Sequence, residues 1–415
     1  MRKLMLIFVM LLTSLSLIAC DEDKKEEDVD YMALYGPNFK EENLKPINKD
    51  NLIGMCDLAW SEYSWNEKNP IDYKMTHQLI QNLGCKSARV WLHCNWIMDD
   101  PNTYNEEGLA LARSIVEDLA EKGIFMIGMN HSNFHDENLP NGDQTVAKPE
   151  RDLTEGSYYL SWLEDYKTTW YNLVKAFPEI TYWEIDNEPN NDVFFSNLLG
   201  GNFNLEEKAF IYTDMMYFAS LGIHEANPNA TTVMGGLVVD TAATFLNYVY
   251  DNIFAEDSWS QYPDDYFQVA CWHPYMTLFT KTKFQRTNDA IYEVIKTREG
   301  KDKKVVITEY GFSETNVSLT NICKYLPQIF EVFEELPYIE STYYFRMYDD
   351  LGSTWGSSSE KQFGLFTDPN SYGMEDSEGE VTNPILAKPK DSAYVFQTCL
   401  KGKGSLTVYQ DILNK

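Results

Sequence analysis

From about residue 50 onward, apolar β-type runs alternate with segments of helical period, and this alternation limits the possible folds more than any other feature of the chain. The runs are NLIGMCDLAW (51–60), CKSARVWLH (85–93), GIFMIGMNH (123–131), ITYWEIDNE (180–188), TTVMGGLVV (231–239), YFQVACWHPY (266–275), KVVITEYGF (304–312) and ESTYYFRMY (340–348). Between them lie Asp72 to Leu83, with Met75, Leu79, Ile80 and Leu83 on one face, then Glu106 to Glu121, Tyr158 to Ala176, Glu206 to Ala226, Thr241 to Ile253, Asn288 to Thr297 and Leu319 to Glu335. Ser392 to Leu400 follows the eighth run. The spacing within these segments predicts helices. Gly84, Gly123 and Asn227-Pro228 supply stop signals. Near-continuous apolar strands alternating with helices are expected for parallel βα units covered on both faces. Eight such units predict a single (β/α)8 TIM barrel over residues 46–415. A doubly wound open sheet is the structural alternative, but no G-x-G-x-x-G follows the first strand.

Charge narrows the partners. The 415 residues carry 34 Lys and Arg against 64 Asp and Glu, a formal net charge of −30. A surface this negative repels nucleic acid and anionic lipid and suits a neutral substrate. Aromatics make up 14% of residues, and both cores and sugar-stacking surfaces use them. Seven cysteines occur, Cys20, Cys56, Cys85, Cys94, Cys271, Cys323 and Cys399, without a C-x-x-C among them. Zinc or redox spacing is therefore absent, and buried free thiols are expected. No cluster of ligand residues calls for a metal or an organic cofactor.

Two acids stand out. In TYWEIDNEPNND (181–192) the fourth strand runs into Asp186, Asn187 and Glu188 before Pro189 ends it. In VVITEYGF the seventh strand ends at Glu309, 121 residues after Glu188 (309 − 188). Strands four and seven of an eight-stranded barrel face each other across its mouth. Carboxylates leaning inward from their ends can come within about 5 Å. The segments 132–153 and 352–380 read as long loops after strands three and eight, over the face where barrels of this kind build their sites.

TYWEIDNEPN resembles the W-E-x-x-N-E-P acid/base segment of glycoside hydrolase clan A, and VVITEYGF resembles its nucleophile segment. MGGLV (234–238) and WHPY (272–275) support the likeness, which spans residues from about 50 to 400 and is nearest the family 39 and family 5 types. The resemblance implies a retaining glycosidase acting on β-D or equatorial α-L bonds, with Glu188 as general acid/base and Glu309 as nucleophile. It further implies that Asn187 donates to the sugar 2-hydroxyl, that Tyr275 and Arg89 support Glu309, and that His273 lies near the acid/base or the substrate. His131 in MNHSN matches a family 5 subsite histidine. The chain departs from the pattern at strand eight, where YYFRMYDD replaces the usual tryptophan platform. Phe345, Tyr348 or Trp355 would have to take that place.

The first residues carry their own signals. Arg2 and Lys3 precede the apolar run MLIFVMLLTSLSLIA, too short and too early for a membrane span. Its ending Leu17-Ile18-Ala19-Cys20 resembles a bacterial lipobox, which implies a signal peptide over 1–19 and a lipid on Cys20. Removing the signal takes two bases, leaving 34 − 2 = 32 against 64 acids, or −32. The following DEDKKEEDVD is similar to the acidic patch of surface lipoproteins in the Bacteroidetes and reads as part of a flexible tether over 20–45. The expected location is the cell envelope, lipid-anchored and facing outward from the outer membrane. Plain secretion is the alternative. Expected partners are a carbohydrate substrate, a membrane through the lipid alone and other polysaccharide-utilisation proteins, with no nucleic acid.

Each residue also has a simpler role open to it. Glu188 and Glu309 can be surface acids, and His273 a satisfied core histidine. Arg89 can pair with Glu184, whose two-residue step from Asp186 and Glu188 predicts one shared strand face. Trp60, Trp65, Trp96 and Trp355 serve packing as readily as sugar stacking, and Gly235-Gly236 marks a close backbone approach. A glycan-binding lipoprotein on a silent barrel is the alternative function. A phosphoryl-transfer barrel lacks the glycine-rich loop it would need.

Overall fold

The computed structural model describes residues 52–57, 73–136, 138–142, 144–351, 361–368 and 387–407. The proposed signal, Cys20, the tether, Trp60, Trp65, Trp355 and most of the 352–380 segment lie outside the described residues.

Eight parallel positions form the barrel: β1 (Leu52–Asp57), β2 (Ser87–Trp91), β5 (Phe125–Asn130), β7 (Tyr182–Ile185), β9 (Thr231–Met234), β11 (Val269–His273), β12 (Lys304–Tyr310) and β13 (Ile339–Tyr344). β10 (Leu237–Val238) continues the fifth position beyond Gly235-Gly236 and pairs with β11. Pairing of β1 with β13 and of β11 with β9 closes the ring, so the open doubly wound sheet is excluded. The connecting helices are α1 (Tyr73–Leu83), α3 (Glu106–Glu121), α4 (Tyr158–Ala176), α5 (Leu205–Ala226), α6 (Val239–Ile253), α7 (Lys281–Glu299) and α8 (Leu319–Glu335), with α9 (Asp391–Cys399) after the last strand. A short helix, α2 (Cys94–Ile97), and a hairpin of β3 (Met98–Asp100) and β4 (Thr103–Tyr104) intervene between β2 and α3. Among the described residues no helix is long and apolar enough to cross a membrane.

Local chemistry sets the helix ends. Asn105 caps α3 by accepting from the Gly108 amide, and Asn204 with Glu207 forms a capping box on α5. Gly300 closes α7 at φ 66°, a conformation that favours glycine. α7 begins at Lys281, seven residues before the expected Asn288, because Phe284 anchors an otherwise polar first turn in the core. The large apolar layer lies between sheet and helices. A smaller one fills the barrel axis: Cys56, Ile127, Val233, Val269, Cys271, Val306 and Tyr343. All six cysteines of the described residues are free and buried, as expected.

The segment 132–153 is more ordered than a loop. Within it β6 (Ala147–Lys148) pairs in parallel with β8 (Ser196–Asn197), which lies beyond β7. This two-stranded patch ties the exits of the third and fourth barrel positions together. A pairing of two residues per strand is too short to leave a periodic signal.

Candidate active site

The fourth strand stops earlier than its sequence suggests. β7 ends at Ile185, and Asp186 and Glu188 both take positive φ, 71° and 44°. The expected single face for Glu184, Asp186 and Glu188 is therefore not formed, because alternation ends where the extended backbone ends. Glu184 points at Arg89, Asp186 at Lys148, and Glu188 at His273. The backbone groups freed by this turn are satisfied. The Glu188 amide donates to Gly236 O at 3.1 Å, while the Tyr212 hydroxyl donates to Ile185 O at 2.7 Å and accepts from the Gly235 amide at 2.6 Å.

Arg89 is fully buried at the centre of the polar layer above the axial core. Its Nε and Nη2 donate to the two oxygens of Glu184 at 2.6 and 2.9 Å, Nη2 also donates to Asn187 Oδ1 at 2.8 Å, and Nη1 donates to Glu309 Oε1. Arg89 therefore serves both the structural acid and the candidate nucleophile. The planar fork of a guanidinium makes that possible where a single ammonium would not.

Glu309 is the next-to-last residue of β12 and is 6% exposed. Tyr275 donates its hydroxyl to Glu309 Oε2 at 2.7 Å, and His273 Nδ1 lies 3.6 Å from the same oxygen. Burial pushes the Glu309 carboxyl up. The charges of His273 and Arg89, with the hydrogen bonds from Tyr275 and Arg89, outweigh that and hold it below the ordinary glutamate value. Burial, and then the Glu309 charge, push the Tyr275 hydroxyl far above its ordinary value, so it remains a donor.

Glu188 sits opposite. Its Oε1 is 2.9 Å from His273 Nδ1 and its Oε2 accepts from Asn191 Nδ2 at 2.7 Å. The other ring nitrogen of His273 faces Thr308 Oγ1 at 3.0 Å, and that hydroxyl donates to Glu184 Oε1 at 2.9 Å. The Thr308 oxygen is thereby left to accept from Nε2–H, which directs Nδ1 toward Glu188. Burial alone pushes the His273 ring down, but Glu309 and Glu188 outweigh it and raise its value. Single oxygens of Glu188 and Glu309 and a nitrogen of His273 all lie within 4.8 Å of one another. Glu184, Cys271 and His273 form a second such trio. By distance alone either could meet a metal ion. However, Arg89, Thr308 and Tyr275 already engage their acceptor atoms, and the guanidinium opposes a second cation.

The remaining predicted residues fall into distinct places. His131 lies after β5, its ring 4.1 Å from His93, 5.8 Å from Trp91 and 5.5 Å from Phe194. Burial, then the charges of His93, Lys148 and Arg89, hold its imidazole well below the ordinary value, and it touches neither acid. Its link to the acids runs through Trp91, over which Arg89 lies at 5.9 Å. Of the strand-eight aromatics, Tyr348 is 1% exposed and its hydroxyl pairs with Thr76 of α1 at 3.1 Å. Tyr348 therefore belongs to the helix layer and is no platform. Phe345 packs edge-on against Tyr275 at 6.3 Å, and Phe363 joins both, 5.4 Å from Tyr275 and 5.6 Å from Phe345. Trp96 packs on His93 at 4.2 Å. Adding a Cβ to Gly236 would bring it within 2.0 Å of His273 Nε2, the close approach expected there.

Three contributors were not singled out from sequence. Asn191 sits three residues past Glu188 in the quoted segment, and that spacing was the available signal. Thr308 precedes Glu309 and carries no motif of its own. Lys148 lies in a segment without periodicity and could be found only by its contact.

No family profile and no curated protein matches the sequence. Among solved structures the chain is similar to a family 39 glycoside hydrolase from Bacteroides cellulosilyticus WH2, with a TM-score of 0.56 at 18% identity over 88% of this chain. It spans 65% of that structure's length. It is also similar to a family 1 β-glucosidase from Thermotoga maritima, with a TM-score of 0.54 at 16% identity over 87% of this chain and 95% of the other. A GH5-4 broad-specificity endoglucanase from Clostridium longisporum gives a TM-score of 0.55 at 15% identity over 86% and 97%. These structural neighbours are glycoside hydrolases of clan A, and at this identity the likeness establishes the shared eight-stranded parallel barrel.

Proposed function

We propose that the chain is a retaining glycoside hydrolase that cleaves β-linked, or equatorial α-L-linked, bonds of an oligo- or polysaccharide. The observation that carries the proposal is the approach of Glu188 and Glu309 oxygens to within 4.8 Å in unlike surroundings. That separation suits the retaining class, whose carboxyl groups lie about 5 Å apart, rather than the wider inverting arrangement. Glu309, held ionised by Arg89, His273 and Tyr275, attacks the anomeric carbon. The bond to the leaving oxygen breaks as that oxygen takes the proton from Glu188. Glu188 then accepts a proton from water as the water oxygen displaces Glu309, which restores both acids. Asn187, whose Oδ1 accepts from Arg89, would donate its side-chain amide to the sugar 2-hydroxyl.

Turnover of a panel of aryl β-glycosides and polysaccharides tests this, with the anomer of the first product followed by NMR. Retention, abolished in Glu309→Ala, is the expected result. Silence across the panel together with glycan binding would replace the enzyme by a binding protein on the same barrel, and inversion would overturn the mechanism. We further propose lipid attachment at Cys20, checked by fatty-acid labelling of the wild type against Cys20→Ala.

A further inference from the structure

We propose that Lys148, through its buried ion pair with Asp186, positions Glu188 and Asn187; for its kinetic test this rests on the glycosidase reading above. Lys148 Nζ lies 3.1 Å from Asp186 Oδ2, and both side chains are fully sealed from solvent. Among the described residues neither atom has another hydrogen-bonding partner, and the ammonium stands 5.2 Å from the centre of the Phe195 ring. The backbone of Lys148 is held as well: β6 pairs with β8, and Lys148 O accepts from the Leu198 amide at 2.9 Å. One residue thus grips the segment 186–198 near both ends.

Asp186 is where that grip reaches the site. Its amide still follows the sheet, donating to Asn130 O at 3.0 Å, but its φ of 71° turns the chain out of the strand. Its Oδ1 accepts from the next amide, Asn187 N, at 2.7 Å, while Oδ2 faces Lys148. Directly after this turn Asn187 meets Arg89 and Glu188 meets His273. A non-glycine residue in the left-handed region persists only where its surroundings hold it. A sealed ion pair contributes little net stability, because desolvating both charges offsets their attraction. It does fix direction, and here the fixed direction is that of the peptide leading to Glu188. Asp186 and Lys148 are positioning residues, since neither touches the reacting atoms.

The experiment compares wild type, Lys148→Met/Asp186→Asn and Lys148→Arg, with the exposed Lys304→Met as a charge-loss control. Removing both charges together avoids a lone buried ion, and Asn tolerates the left-handed turn. In the folded double variant kcat is expected to fall about 100-fold, as for an ångström-scale misplacement. KM should change less than about threefold, Lys148→Arg should recover most of the rate, and Lys304→Met should match wild type. The second readout does not need turnover. The His273 imidazole, followed by NMR, should titrate at lower pH in the double variant as Glu188 moves away. Wild-type kcat together with an unchanged His273 titration would overturn the inference. A silent wild type would defeat the glycosidase reading alone, and the titration would then decide this one. Should the double variant not fold, Lys148→Leu/Asp186→Asn, which likewise leaves no lone buried ion, is judged by the same two measurements.

Discussion

His273 Nδ1 lies 2.9 Å from Glu188 Oε1, and the same nitrogen reaches the other acid, Glu309, at 3.6 Å. The groups facing the ring are Glu188, Glu309, Thr308, Glu184 and Cys271 and, through charge, Arg89. A base whose value is raised on folding contributes stability that is complete below its unfolded value, near 6.5, and vanishes as pH rises through the raised value. Glu309, lowered on folding, contributes above its ordinary 4.5 and loses that contribution as pH falls through the lowered value. The stability gap between wild type and His273→Gln is therefore expected to peak between these two ordinary values and to shrink toward alkaline pH. Urea unfolding followed from below the ordinary glutamate value of 4.5 to alkaline pH, well past 6.5, measures it. A gap independent of pH would show that His273 does not carry the charge assigned to it.

Tyr275→Phe removes the hydroxyl that donates to Glu309 at 2.7 Å. A hydrogen bond to a charged group contributes about 1.5–3 kcal/mol, so turnover should fall roughly 10- to 100-fold. Glu309 loses a partner of its ionised form, and the acidic limb of the kcat/KM profile should move to higher pH. An unmoved limb would separate Tyr275 from the nucleophile.

Arg89→Met leaves Glu184 and Glu309 buried without their shared cation. Breaking such a pair costs about 3–5 kcal/mol, which chemical denaturation would register as a lowered midpoint. Arg89→Lys is not expected to restore stability, because one ammonium cannot meet Glu184, Asn187 and Glu309 together. A loss near zero in either variant would mean that the acids find other partners.

Gly236→Ala places a methyl 2.0 Å from His273 Nε2. The ring must leave either Thr308 or Glu188, and the overpacking should destabilise by roughly 1–3 kcal/mol. Thermal unfolding and the His273 NMR titration would both change. A variant with wild-type values of each would show that the loop yields and the imidazole does not.

Much of this architecture is readable in the amino-acid order. α3, α4 and α8 run over the residues their apolar period marks, because burial of one face is a local property of the chain. Glu188 and Glu309 were readable too, since a charged residue at the end of an apolar strand interrupts the pattern around it. The departures lie where side-chain contacts, not period, set the backbone. β7 ends at Ile185 because the turn at Asp186 is held by Lys148 and by the Asn187 amide, groups that no periodicity links. Tyr348 reads from sequence as a candidate platform, but the strand ends at Tyr344 and the chain delivers Tyr348 to Thr76 of the helix layer.

The amino-acid order alone determined eight βα units and two acids at opposite strand ends, because hydrophobic period and its interruption are written along the chain. Only the tertiary structure decided that the ring closes, that Arg89 serves Glu184 and Glu309 at once, and that His273 links the two acids. Those facts depend on contacts between residues far apart in the chain, 289 positions for Leu52 and Ser341 (341 − 52) and 220 for Arg89 and Glu309, which no local pattern records.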